Sequence, residues 1–138
     1  MFRIFIALTW LSIATMSAIL NSNRTYAQEL NQPKTTVLMK KETVGAVTEK
    51  EAYFVNIEWS PGAATGRHVH PGDEFGEILD GELQLSVDGL APRTMRAGDV
   101  YHTLPGVVHE TRNVSGRPAH SAAVLIINKG MPPTEPVN

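Results

Sequence analysis

The sequence predicts an all-β fold, either a sandwich or an antiparallel barrel. Three observations predict it. From Val44 on, short runs of alternating apolar and polar residues recur about every 8–12 residues. Gly, Pro or Asp breaks the runs, and the 138 residues include 11 Gly and 9 Pro. No window beyond residue 27 keeps a helical period. The length favours one domain, and a hydrophobic share of 42% is ordinary for a globular chain.

Residues 1–27 read as a secretory signal peptide. Residues Phe2 to Leu20 are nearly all apolar with one positive charge at Arg3, and Thr25-Tyr26-Ala27 offers small residues three and one before a cut after Ala27. The apolar run is long enough that an uncleaved anchor is the rival. No twin Arg is present, which points to the general secretory route and a periplasmic or secreted product. Residues 28–43 read as a flexible arm, although Thr35 to Met39 could add an edge strand. The domain proper is expected over 44–130. Its strands are Ala52–Trp59, Arg67–His70, Glu74–Leu79, Glu82–Asp88, Val100–Leu104, His109–Asn113 and Ala119–Asn128. In the fourth, Leu83, Leu85 and Val87 share one face while Glu82, Gln84, Ser86 and Asp88 share the other. Residues 131–138, with Pro132, Pro133 and Pro136, read as a loose Pro-rich tail.

Composition excludes several classes. There is no Cys, hence no disulfide, thiolate zinc site, iron–sulfur cluster or Cys nucleophile. The net charge is −2, and loss of residues 1–27 with Arg3 and Arg24 would leave 10 Lys+Arg against 14 Asp+Glu, net −4. That balance gives no electrostatic footprint for nucleic acid. After signal cleavage no stable membrane association is expected. Metal chemistry built on His and carboxylate stays open.

The informative cluster is His68-Val69-His70, then Glu74, then His109. On a strand, residues i and i+2 point to one face about 6.6 Å apart, so two imidazoles can converge on one ion. Pro71-Gly72 reverses the chain, which is expected to return Glu74 on the strand beside the two His. His109 follows a Pro-Gly turn and would be the third ring. Three imidazoles and a carboxylate suit a divalent first-row metal with positions left open for water, substrate or dioxygen.

The longer pattern is Gly62-x5-His68-x-His70-x3-Glu74-x6-Gly81, followed by Gly98, Gly106, His109 and Asn113. It resembles the two motifs of the small single-domain cupins, of the quercetin-dioxygenase-like kind, from about Val47 to Lys129. The one departure is Leu104, where the second motif expects Pro; Pro105 stands one place later. The resemblance implies an antiparallel β-barrel of the double-stranded β-helix (jelly-roll) type, open at one end, and association as a homodimer through edge strands. It implies His68, His70, Glu74 and His109 as ligands of one divalent transition metal: Fe, Mn, Ni, Cu or Zn. Asn113 is expected to be a structural hydrogen-bonder, and the four motif glycines to occupy turns.

The function implied is a metal-dependent enzyme, a dioxygenase acting on a small chelating substrate. The alternatives are a non-catalytic periplasmic binding cupin and a metal-dependent isomerase or lyase. Glu74 is expected to double as a proton acceptor. Tyr101, expected to face the interior, is the other catalytic candidate, as substrate orienter or acid–base group, with a core Tyr as the plain alternative. Trp59 and Phe75 are candidates for pocket walls, and Arg67 for meeting an anion at the mouth. Asp73 competes with Glu74 for ligation. His102 and Glu77 should point outward, and His120 into solvent. Export would favour copper, zinc or nickel over iron and manganese, since nitrogen and oxygen sites follow the Irving–Williams order.

Overall fold

The computed structural model describes residues 31–41 and 49–137; the expected signal peptide and its expected cleavage site lie outside the described residues. Ten strands make two five-stranded antiparallel sheets among these residues. They are β1 (Lys34–Lys41), β2 (Lys50–Trp59), β3 (His68–Val69), β4 (Asp73–Asp80), β5 (Glu82–Val87), β6 (Arg93–Arg96), β7 (Val100–Thr103), β8 (His109–Arg112), β9 (Ala119–Asn128) and β10 (Glu135–Pro136). One sheet runs β1-β2-β9-β4-β7 and the other β10-β3-β8-β5-β6. All pairings are antiparallel, as in the barrel that the alternating runs predict.

Period-two alternation sets the inside. Along β9, Ala119, Ser121, Ala123, Leu125 and Ile127 are buried, and the residues between them are not. β2 lies along β9 over its full length, from Lys50 opposite Asn128 to Trp59 opposite Ala119. Trp59, Ile78, Leu83, Met95 and Ile127 join in one apolar core. The Trp59 indole N–H donates to Ser121 Oγ at 2.9 Å, so the buried ring leaves no polar atom unpaired. Truncating a fully buried member such as Ile78 or Leu83 to Ala costs about 2–5 kcal/mol.

Turns move the chain between sheets. Asp80-Gly81 carries it from β4 in one sheet to β5 in the other. Gly81 has φ +81°, and a Cβ there would sit 2.6 Å from the Ala119 methyl, so only glycine fits. Gly62, Gly98 and Gly106 also have positive φ, as expected of turn positions. Asn113 acts as a structural tie. Its side-chain amide donates to the Trp59, Ser60 and Arg117 carbonyls, and its Oδ1 accepts from the Ser115 N–H.

The edge strand that Thr35 to Met39 could add is present as β1, which pairs with β2 through a bulge at Leu38. Two elements depart from the sequence reading. β6 was not anticipated: only Met95 of its four residues is buried, so it carries little pattern. The tail is not loose. β10 pairs with β3, setting Glu135 opposite Val69 and Pro136 opposite His68.

Candidate metal centre

The three rings come from one sheet. β3 carries His68, and His70 follows one residue after its end on the same face. His109 opens β8 directly opposite His68 in the β3–β8 register. The ring centroids lie 4.2 Å (His68–His109), 4.8 Å (His68–His70) and 5.0 Å (His70–His109) apart. One nitrogen from each ring falls within 4.8 Å of the others, an arrangement able to hold a metal ion. All three are buried, at 6%, 4% and 2% exposure for His68, His70 and His109.

The protonation pattern of the rings is legible from their partners. Each Nδ1 faces a backbone carbonyl: Gly66 O at 2.9 Å for His68, Pro133 O at 2.6 Å for His70, Val107 O at 2.9 Å for His109. A carbonyl only accepts, so each Nδ1 carries a proton, and in the neutral ring the Nε2 lone pair then faces inward. The Nε2 atoms of His70 and His109 are buried without a hydrogen-bond partner. Buried, pre-oriented acceptor nitrogens with their far sides tied to carbonyls fit a metal ligand set.

Glu74 faces the rings from the other sheet. It was expected on the strand beside His68 and His70; β4 instead pairs with β7 and β9. The Pro71-Gly72 turn crosses between sheets rather than closing a hairpin within one. Glu74 Oε2 lies 3.5 Å from His70 Nε2 and 3.4 Å from His109 Nε2. Burial alone would raise its carboxyl, but the His109 and His70 rings outweigh that and hold it down at about 2. Burial lowers His68 to about 4. Burial acts the same way on His70, but Glu74 prevails and raises it.

Tyr101 faces inward, as expected, and its hydroxyl donates to Glu74 Oε1 at 3.3 Å. Burial, followed by the Glu74 charge, pushes its phenol well above 10, so it stays protonated. Gly76, which the sequence reading passed over, makes this possible. It stands opposite Tyr101 in the β4–β7 register, and a Cβ there would overlap the Tyr101 ring. A glycine in mid-strand was the available signal for such a close approach.

Above the rings is a cavity of about 290 Å³. Val55, Ile57 and Leu125 give it apolar walls, and Thr35, Thr65 and Thr134 line it with hydroxyl-bearing side chains; no Lys or Arg among the described residues lines it. The size is at the low end for ligand sites. A larger concavity, about 720 Å³, is lined by Phe54, Phe75, His102 and Val100 but by none of the three clustered histidines.

The remaining candidates stand elsewhere. Phe75 is not a wall of the histidine cavity: it alternates away from Glu74, is 46% exposed and stacks on His102 at 4.3 Å. Trp59 is core rather than wall. Asp73 does not compete with Glu74, since its Oδ1 pairs with His102 Nε2 at 2.8 Å on the exposed side. Arg67 pairs with Asp88 at 2.6 Å and does not line the cavity. Glu77 and His102 point outward, and His120 is half-buried on the outward row of β9.

Comparison with known proteins agrees with this architecture. Residues 55–126 match the cupin domain family. No curated protein matches the chain. Among solved structures, the chain is similar to an uncharacterized conserved protein with a double-stranded beta-helix domain from Klebsiella pneumoniae subsp. pneumoniae MGH 78578. The TM-score is 0.58 at 20% identity, covering 72% of this chain and 79% of that one. It is similar to the DMSP lyase DddQ from Ruegeria pomeroyi DSS-3, with TM-score 0.62 at 25% identity, covering 80% of this chain and 54% of that one. A recombinant oxalate oxidase in complex with glycolate gives 0.61 at 23%, covering 77% and 55%. The chain thus spans about half the length of these two enzymes. With both sheets, the inward histidine group and the family match in agreement, the chain belongs to the cupin family.

Proposed function

We propose that this cupin binds one divalent first-row transition metal through the Nε2 atoms of His68, His70 and His109 and the carboxylate of Glu74, and uses it as a dioxygenase on a small chelating substrate. The observation that carries the reading is the set of three rings whose Nδ1 atoms are all engaged by carbonyls, leaving their Nε2 atoms to face one centre. The metal would supply a Lewis acid that polarises a bound enol or enolate and, if redox-active, access to dioxygen.

The chain's own residues do the rest. Glu74, ionised and facing the rings and the cavity, is the side chain placed to accept a proton from an enolisable substrate. Tyr101 stays protonated and holds Glu74 through Oε1, acting as a positioning residue. Val55, Ile57 and Leu125 exclude water beside the rings, and the Thr35 and Thr134 hydroxyls orient polar substrate atoms, since the Thr65 hydroxyl is taken up by the Gly66 and Thr111 backbone. The absence of a cationic side chain from the described cavity lining favours neutral or singly charged substrates over free dianions.

A lyase is the second reading, favoured by the similarity to a DMSP lyase. Oxygen uptake with enolisable substrates tests the choice. Turnover that consumes oxygen supports the dioxygenase. Turnover that persists without oxygen supports the lyase or isomerase. Metal binding without turnover moves the chain to the binding cupins.

A further inference from the structure

Two of the three histidines orient themselves locally. His68 and His109 each donate from Nδ1 to the carbonyl two residues earlier, Gly66 and Val107. His70 does not. Its Nδ1 meets Pro133 O at 2.6 Å, 63 residues away, with Thr134 Oγ1 at 3.5 Å.

Residues 131–137 form a strap fastened on both sides of that contact. On one side Met131 N donates to Asn128 O at 3.1 Å. On the other, β10 pairs with β3, and Val137 N donates to Arg67 O at 3.0 Å. Pro132 and Pro133 fix their own φ and lack N–H groups, so this part of the strap is stiff and its backbone offers carbonyls only. Pro133 and Thr134 also wall the cavity. The whole strap lies beyond residues 55–126, the part that matches the cupin family.

We propose that this C-terminal strap is a working part of the metal centre: the Pro133 carbonyl is the positioning group that locks the His70 ring with Nε2 turned to the ion. The inference rests on the metal-binding reading above. Without that acceptor, a neutral His70 is free to place its proton on either nitrogen and to rotate. Partners of this kind typically change metal affinity 10–100-fold.

The test is titration of the metal-free full chain with Co²⁺ alone, alongside two variants. Deleting Pro132 keeps the β10 sequence but shifts the Pro133 carbonyl; truncation after Gly130 removes it. The expected result is about 10–100-fold weaker Co²⁺ binding and an altered Co²⁺ spectrum for both. In the metal-free proteins, the His70 Nδ1–H resonance is expected to exchange slowly in the full chain and to be lost from both variants, whatever their melting temperatures. Equal affinity and an unchanged resonance in all three overturn the strap while leaving the metal site intact. Failure of the unaltered full chain to bind Co²⁺ overturns both.

Discussion

The two sheets contribute opposite chemistry to one site. The β10-β3-β8-β5-β6 sheet gives three imidazoles, each held by a backbone carbonyl at 2.6–2.9 Å. The β1-β2-β9-β4-β7 sheet gives one carboxylate and the phenol that donates to it. The rings are oriented by main-chain carbonyls, while Glu74 acts on the charge of His70. Glu74 is held by side chains alone: Tyr101 on one oxygen and the histidines near the other. The imidazole ligands and the carboxylate are therefore set by different sheets, and substitutions should differ in size along that division.

The largest effect is expected on the histidine side. His109→Ala or His68→Ala should abolish stoichiometric metal binding, because either leaves too few convergent nitrogens; metal analysis after dialysis checks it. Glu74→Gln should weaken binding without abolishing it. The charge contributes about 1–4 kcal/mol of attraction at this range, and isothermal titration would measure the loss.

The same carboxylate shapes acid stability. Its pKa is about 2 folded against 4.5 unfolded, so its contribution is complete above 4.5 and is lost as pH falls toward 2. His68, lowered from 6.5 to about 4, adds a loss between those values. His70 is raised and opposes this, its contribution fading as pH rises above 6.5. Metal-free protein should lose melting temperature as pH falls below about 6.5 and more steeply below 4.5, and Glu74→Gln should flatten the lower part.

Gly76→Ala sharpens the contrast. It should displace the Tyr101 ring and cost about 1–3 kcal/mol by overpacking, with a smaller effect on metal affinity than either histidine variant. Denaturant unfolding would measure it. The smallest effect is expected for Leu104→Pro. Leu104 is 56% exposed in the turn after β7, and the change restores the cupin motif, so melting temperature should hold within a few degrees; a large loss would show that this turn has diverged.

Much of this was legible before the structure. The spacing from Gly62 to Gly81 and the His109 motif pointed to the residues that meet, because side-chain alternation and tight turns are local properties. Which sheet a strand joins is not local. Period two gives Glu74 its face but not its neighbours, so its placement beside the histidine strand was misread. Phe75 was recoverable, since an inward Glu74 requires an outward Phe75. The strap was not: its contribution is a main-chain carbonyl, which every residue has, and proline-rich composition reads as loose unless a distant strand captures it. β6 was hidden because a polar edge strand with one buried Met carries almost no alternation.

The most direct test of the central claim is the metal content of the protein purified without a histidine tag, beside His109→Ala. The account predicts about one divalent transition-metal ion per chain, lost in the variant, with a redox-active ion supporting the dioxygenase. No metal after reconstitution, or full occupancy in His109→Ala, would contradict it.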